Sequence, residues 1–296
     1  MNRTLIGLLC GLIAASIWGG MYVVSKVVLD IIPPFALLTI RLVLGYLSLS
    51  TVLLFRNTRT TTRVSLPRRQ FWQSLLVGIL GYGISLGFQF TGTKLSTASN
   101  GALITSATPA FVLLFASLLL GEKISARRVV ALVISTLGVL AVIDPRSAEL
   151  LPSLFLGNLL LFFAGLTWAL YSVLVRKIAK DIDLLTSSSI MLLGGLPSSV
   201  LFGLFEIKIQ GIGEITLGIF GGILFLGIIS TAVAMFLWNY AFAELPASIA
   251  SLTFFAQPVV GTFLGWLFLG EQITYLFLAG GILISAGLFI SFAEKN

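Results

Sequence analysis

One stretch of this chain is written twice. Ala107-Thr108-Pro109, an apolar run and Leu120-Gly121-Glu122-Lys123-Ile124 return 149 positions later (258 − 109) as Ala256-Gln257-Pro258, an apolar run and Leu269-Gly270-Glu271-Gln272-Ile273. No gap is needed, because Glu122 and Glu271 stand at the same offset (271 − 122). The match extends back to Ala98-Ser99 and Ala247-Ser248, and forward to Gly138 and Gly287. The offset is close to half of the 296 residues, so the chain reads as one module in two copies, residues 1–147 and 148–296.

Each copy is a string of apolar runs long enough to cross a bilayer as helices, which takes about 20 residues. Hydrophobic residues make up 57% of the chain and charged residues 10%, where soluble domains run near ~25% charged. The pattern predicts an all-α membrane protein with ten transmembrane helices, near 5–26, 35–55, 71–92, 97–120, 126–144, 154–176, 184–205, 215–240, 247–269 and 274–292. Turn residues separate them, among them Pro33-Pro34, Pro67, Gly121, Asp144-Pro145, Pro152, Gly211 to Gly213, Pro246 and Gly270. Five spans per copy is an odd number. The second copy therefore enters the membrane in the opposite sense, giving two inverted five-helix repeats with a substrate site where they meet near the midplane. The first and sixth spans align as well, Ala14, Trp18 and Lys26 meeting Ala164, Trp168 and Arg176.

The formal net charge of +7 does not point to nucleic acid. With the N-terminus inside, 13 basic residues fall in cytoplasmic segments and 4 (Lys26, Lys94, Arg146 and Lys208) on the other side, which places both termini in the cytoplasm. The run from Leu5 to about Val24 is long for a cleaved leader, and Trp18 has its repeat partner in Trp168, so this run is read as a helix. Cys10 is the one cysteine and there is no histidine, which excludes an internal disulfide, Ser-His dyads and HExxH metal sites. No Gly-rich phosphate loop followed by Lys is present, and no aspartate pair lies within a span. The chain is therefore not expected to be an enzyme or to need a metal or cofactor.

The residues Ile17-Trp18-Gly19-Gly20, then Lys26, Pro33-Pro34 and Arg41, together with the Pro109-to-Glu122 unit repeated at Pro258 to Glu271, resemble the ten-helix EamA-type branch of the drug/metabolite transporter superfamily. The resemblance covers essentially the whole chain. It implies a helical bundle around a central cavity and the transport of amino acids, their derivatives or other small metabolites, often outward, across a bacterial inner membrane. Arg41 departs from the duplication, since its counterpart in the second copy is Met191.

Several residues are candidates for lining such a cavity. Tyr82, Ser85, Gln89 and Thr93 are spaced to stack along one side of a helix, and Thr231, Trp238 and Asn239 occupy the equivalent region of the second copy. Trp18, Tyr22 and Ser25 recur at i, i+4 and i+7, and Trp168 and Tyr171 repeat the theme. Polar groups facing lipid are costly, so these stripes should turn inward. The bland alternatives are interhelical hydrogen bonds and aromatic filler where helices cross. The fourth and ninth spans add Asn100, Thr105 and Thr108, and Ser251, Phe254 and Gln257. Pro109 and Pro258 there each free a carbonyl one turn back, which predicts kinks of structural or gating use. Glu122 and Glu271 read as hairpin locks beside the N-caps Ser125 and Thr274 of the following helices. Arg41 is the charge set well inside a span. It is expected to pair with backbone carbonyls or snorkel outward, with binding of a substrate carboxylate as the other possibility. Gly7 and Gly11, Gly83 and Gly87, and Gly261 and Gly265 suit close helix packing, inside a monomer or across a dimer.

The expected activity is secondary transport, with export the expected direction, of a small amphipathic metabolite. The substrate-binding candidates are Trp18, Tyr22, Tyr82, Gln89, Trp168, Tyr171, Trp238 and Asn239, holding it by stacking and hydrogen bonds rather than charge pairing. Multidrug efflux of lipophilic cations is the alternative, disfavoured by the lack of a mid-span carboxylate. A receptor or lipid-handling protein is a third.

Overall fold

The turn signals delimit helices in the computed structural model, which describes residues 3–59, 67–96, 98–143, 152–179, 183–269 and 275–292. The helices are α1 (Arg3–Leu29), α2 (Pro34–Arg59), α3 (Arg68–Leu95), α4 (98–120), α5 (Ala126–Ile143), α6 (Phe155–Ile178), α7 (Leu184–Gln210), α8 (Leu217–Glu244), α9 (247–269) and α10 (Tyr275–Phe292). Pro34 opens α2, where its missing N–H costs nothing. Asp183 caps α7 by accepting from the Thr186 N–H at 2.9 Å, and Thr216 caps α8 by accepting from the Ile219 N–H at 3.3 Å. Gly121 and Gly211 end α4 and α7 at φ 68° and 73°, a left-handed backbone that glycine adopts without a Cβ clash.

Among the described residues, 8 segments are long and apolar enough to cross a membrane: α1, α2, α3, α6, α7, α8 and most of α4 and α9. The other two expected spans are α5 and α10, helices of 18 residues each. They pack closely on one another. A Cβ at Gly138 would meet the Gly280 carbonyl oxygen at 2.7 Å, which is why small residues stand there. The outward faces carry Leu118, Leu201, Phe205, Ile282 and Phe289, all exposed, as a surface turned to lipid would.

The two copies interlock rather than lie side by side. α1 packs on α8 and α9, and α6 packs on α3 and α4, so the same relation holds with the copies exchanged. α2 packs on α7, their like-numbered partners in the two halves. The glycine pairs serve this internal packing: Gly11 faces Thr253, Gly87 faces Phe35 and Gly261 faces Gly19.

Four irregularities interrupt the helices, in matched pairs. α3 and α8 each contain a π-helical stretch, Ile79–Ser85 and Phe225–Val233. Such turns inside α-helices cluster at functional sites. α4 breaks at Ser106-Ala107, and α9 passes through a 3-10 stretch at Ser251–Phe255. The prolines were expected to kink continuous helices. Pro109 instead stands in the first turn of a new half-helix, Thr108–Leu120, and the carbonyl it frees, that of Thr105, accepts from the Thr108 hydroxyl at 2.6 Å. Pro258 stands early in the half-helix Ala256–Leu269.

Candidate functional site

The breaks and π turns surround one aromatic cluster. Trp18 and Trp168, equivalent residues of the two copies, meet edge to face with ring centroids 5.5 Å apart and planes at 82°. Trp238 of α8 lies 5.2 Å from Trp18, and Phe254 of α9 lies 6.3 Å from it. Each such pair adds ~0.5–1.5 kcal/mol beyond its buried area. A cavity of about 30 Å³ opens beside them. Its apolar lining includes Trp18, Met21, Leu86, Trp168, Met235 and Phe254, and its polar lining Ser85, Gln89, Thr105, Thr108 and Gln257. One water needs ~10–15 Å³, so a metabolite-sized solute fits only after the helices part.

Most polar groups at the cavity are committed to protein partners. Thr105 donates to the Gly101 carbonyl at 2.6 Å, so its oxygen can only accept from Tyr22, 3.2 Å away. Tyr22 in turn accepts from Gln89 Nε2 at 2.9 Å. Ser85 donates to the Ala164 carbonyl at 2.8 Å. Two atoms of the lining are different. The Trp168 indole N–H and the Gln257 Oε1 are buried and have no hydrogen-bond partner among the described residues. One is a donor and the other an acceptor, so the cavity presents complementary unmet valences to a solute.

Behind Trp168 lies a closed ring of three hydrogen bonds. Asn239 Nδ2 donates to the Tyr82 oxygen at 3.3 Å, and Tyr171 donates to Asn239 Oδ1 at 2.6 Å. The 2.5 Å bond between the two tyrosines must then run from Tyr82 to Tyr171. Asn239 also donates to Ser188 at 3.1 Å. The ring ties α3, α6, α7 and α8 together, and Tyr171 stacks 4.7 Å from Trp168. Trp238 is fixed by its indole N–H on Ser172 at 3.0 Å.

Of the eight predicted substrate-binding residues, Trp18, Gln89 and Trp168 line the cavity. Tyr22 braces Gln89 there. Tyr82, Tyr171, Trp238 and Asn239 form the layer behind it. Gln257 lines the cavity although the stripes on α3 and α8 do not include it. Its signal was its place before Pro258 in the duplicated motif.

Arg41 does not snorkel. It is fully buried, and its Nε donates to the Leu226 carbonyl at 3.2 Å and to Thr231 Oγ1 at 3.1 Å, inside the π turn of α8. The Trp18 indole N–H holds the same turn through the Ser230 carbonyl at 3.0 Å.

Four clamps tie helix ends together around this centre. Glu122 was expected to lock its own hairpin to α5. It does pair with Arg128 of α5, whose Nη1 lies 3.7 Å from Oε2, and it also reaches across to the other copy, accepting from the Ala247 and Ser248 backbone N–H groups at 2.8 and 3.3 Å and the Ser248 hydroxyl at 2.7 Å. The reason is local: Ser125 already serves α5 by accepting from the Arg128 N–H, which leaves the free amides at the start of α9 as the carboxylate's donors. Arg176 lies 3.4 Å from Glu122 and caps the end of α8 through the Phe242 and Ala243 carbonyls. Glu206 at the end of α7 accepts from the Phe35 N–H at 2.7 Å, and Asp183 pairs with Arg56 at 2.8 Å. Glu271, Gly270 and Thr274 lie outside the described residues.

Known proteins place this architecture. A solved crystal structure superimposes with a TM-score of 0.80 over 99% of this chain and 98% of that one, at 20% identity, which is a likeness of fold. The uncharacterized transporter YoaV of Bacillus subtilis (strain 168) is 27% identical over 288 residues, 97% of each chain. The uncharacterized transporter YyaM of the same organism is 30% identical over 217 residues, 72% of this chain and 70% of that one. An uncharacterized transporter of Archaeoglobus fulgidus is 26% identical over 283 residues, 94% of this chain and 95% of that one. The model of the EamA-like transporter family matches twice, over residues 5–143 and 155–293. Two matches in tandem, on helices that interlock around a cavity, make this chain an integral membrane transporter of the EamA-like transporter family.

Proposed function

We propose that the chain exports a small amphipathic metabolite, an amino acid or a related compound, through ten spans arranged as two inverted five-helix repeats. The carrying observation is the cavity between the copies, walled by Trp18 and Trp168 and offering one unmet donor and one unmet acceptor. The solute stacks on the indoles and bonds to the Trp168 N–H and Gln257 Oε1. The structure is the occluded state, and rocking of one copy against the other opens the cavity to either side. The basic loops set both termini in the cytoplasm of a bacterial cell, and the chain works as a monomer.

The test is counterflow in liposomes with a panel of labelled amino acids and related metabolites. Uptake of one of them, reduced at least about tenfold by Trp168→Ala, a loss of ~1.4 kcal/mol or more, supports the reading. Unchanged uptake in that variant would remove the indole from the site. Efflux of lipophilic cations is the weaker reading, because among the described residues the acidic ones lie at helix ends or between helices and none lines the cavity as a counter-ion.

A further inference from the structure

We propose that the transported solute carries a single carboxylate and that Arg41 receives it, with Met21 as the side chain that yields to let it in. This rests on the cavity being the transport site.

The guanidinium of Arg41 is held along one edge only. Nε is taken by Leu226 and Thr231, and Nη2 donates to the Ser230 hydroxyl at 3.3 Å. All these partners are neutral. Thr231 itself donates to the Leu226 carbonyl at 2.7 Å, so the π turn forms a rigid cradle that fixes the guanidinium's orientation. At the opposite end, Nη1 has no hydrogen-bond partner among the described residues. Nη2 there meets only the Met21 thioether, at 3.6 Å. A thioether is a weak acceptor. The Phe90 ring lies 4.7 Å from the guanidinium carbon and adds a cation–π contact but no hydrogen bond.

Arg41 is fully buried and forms no salt bridge among the described residues. Each acidic residue among the described residues lies within about a turn of a helix end or between helices, so none of them stands opposite Arg41 in mid-span. A buried ion without a counter-charge is expensive. An Nη1–Nη2 edge whose one acceptor is a thioether is the edge a carboxylate takes with two parallel hydrogen bonds.

Met21 connects this edge to the cavity. Its sulfur meets Nη2, and the same side chain lines the cavity beside Trp18 and Leu86. Methionine is unbranched and rotates easily. Rotation away from Arg41 brings the guanidinium edge to the cavity wall. The aromatic lining then holds the apolar body of the solute, and Gln257 Oε1 accepts from an N–H or O–H on it. One cation beside an otherwise uncharged chamber matches one negative charge. A phosphate would bring two, and a lipophilic cation would meet like charge.

The experiment uses the full chain purified in detergent and three probes with one body and three head groups: 3-phenylpropionate, 3-phenylpropionamide and 3-phenylpropylammonium. Binding is read by the unfolding midpoint, which rises when a ligand binds only the folded state, and by tryptophan fluorescence. The carboxylate is expected to bind at least about tenfold tighter than the amide, the step that ~1.4 kcal/mol represents, and the ammonium not to bind. Arg41→Lys should lower the ratio of carboxylate to amide affinity about tenfold, because lysine lacks the bidentate edge. If Arg41→Lys does not fold, Met21→Ala carries the test: removing the plug should raise the ratio of carboxylate to amide affinity, and an unchanged ratio overturns the assignment. Equal binding of amide and carboxylate, or a preference for the ammonium, overturns the assignment of Arg41 while leaving the cavity as the site. Binding of none of the three overturns both.

Discussion

The π-helical turns of α3 and α8 occupy corresponding places in the two copies and carry different chemistry. In α3 the turn holds Tyr82, which closes the hydrogen-bonded ring with Tyr171 and Asn239, and Ser85, which faces the cavity. In α8 the turn holds Ser230 and Thr231, which receive Arg41 and Trp18 from the first copy. The backbone irregularity is shared and the side chains are not. A π turn leaves carbonyls available that an α-helix would use, and each copy has filled that opportunity differently. The two copies share the backbone device, and their side chains make one turn a brace and the other a cradle for a charge.

Trp18 joins the two turns, so its loss should have the largest effect. Trp18→Ala removes contacts with Trp168, Trp238 and Phe254 and leaves the Ser230 carbonyl without its indole donor. A loss of about 3–5 kcal/mol is expected, measured as the unfolding midpoint in detergent. A loss below that of single hydroxyl deletions would mean that the two turns are not coupled through Trp18.

Next come the turns themselves. Tyr82→Phe opens the ring in α3 and leaves Asn239 Nδ2 and the Tyr171 oxygen short of a partner. Thr231→Val removes an acceptor from Arg41 and a donor from the Leu226 carbonyl. Each should cost about 1–3 kcal/mol. The comparison sharpens in the double variant: if brace and cradle are independent, the two losses add within about 0.5 kcal/mol. Strong coupling would show that the turns act as one unit.

The smallest effect belongs to the rim. Burial raises the Asp183 carboxyl's pKa, but hydrogen bonds from Arg56 and Thr186 outweigh it and hold the group below its ordinary range. A depressed carboxylate contributes stability above its unfolded pKa, near ~3.9, and loses it as pH falls through the folded value. The Arg56–Asp183 pair is a quarter to a third exposed, so Asp183→Asn should cost only about 0.2–1 kcal/mol at neutral pH and flatten the acid limb of the stability profile. An unchanged acid limb would show that the rim pair contributes nothing.

The contrast between centre and rim also marks what was legible in advance. The helices were readable because apolar runs and turn residues act locally, and Trp18 and Trp168 were readable as partners because the duplication aligned them. The π turns were not, since Ile79–Ser85 and Phe225–Val233 carry no residue that demands them. Their geometry is compensated by contacts from other helices. Glu122 shows the same limit. Its sequence neighbours suggested a lock on α5, and the free amides it meets belong to a helix 125 residues away.

The sequence by itself determined a membrane-spanning, duplicated helical transporter, because span length, repeat and motif survive without any knowledge of packing. Only the tertiary structure decided which polar groups are spent and which remain open. Tyr82, Tyr171 and Asn239 satisfy one another, while the Trp168 indole N–H, Gln257 Oε1 and Arg41 Nη1 do not find partners among the described residues. The physical reason is that a hydrogen bond between distant helices depends on their crossing geometry, which no local pattern in the chain encodes.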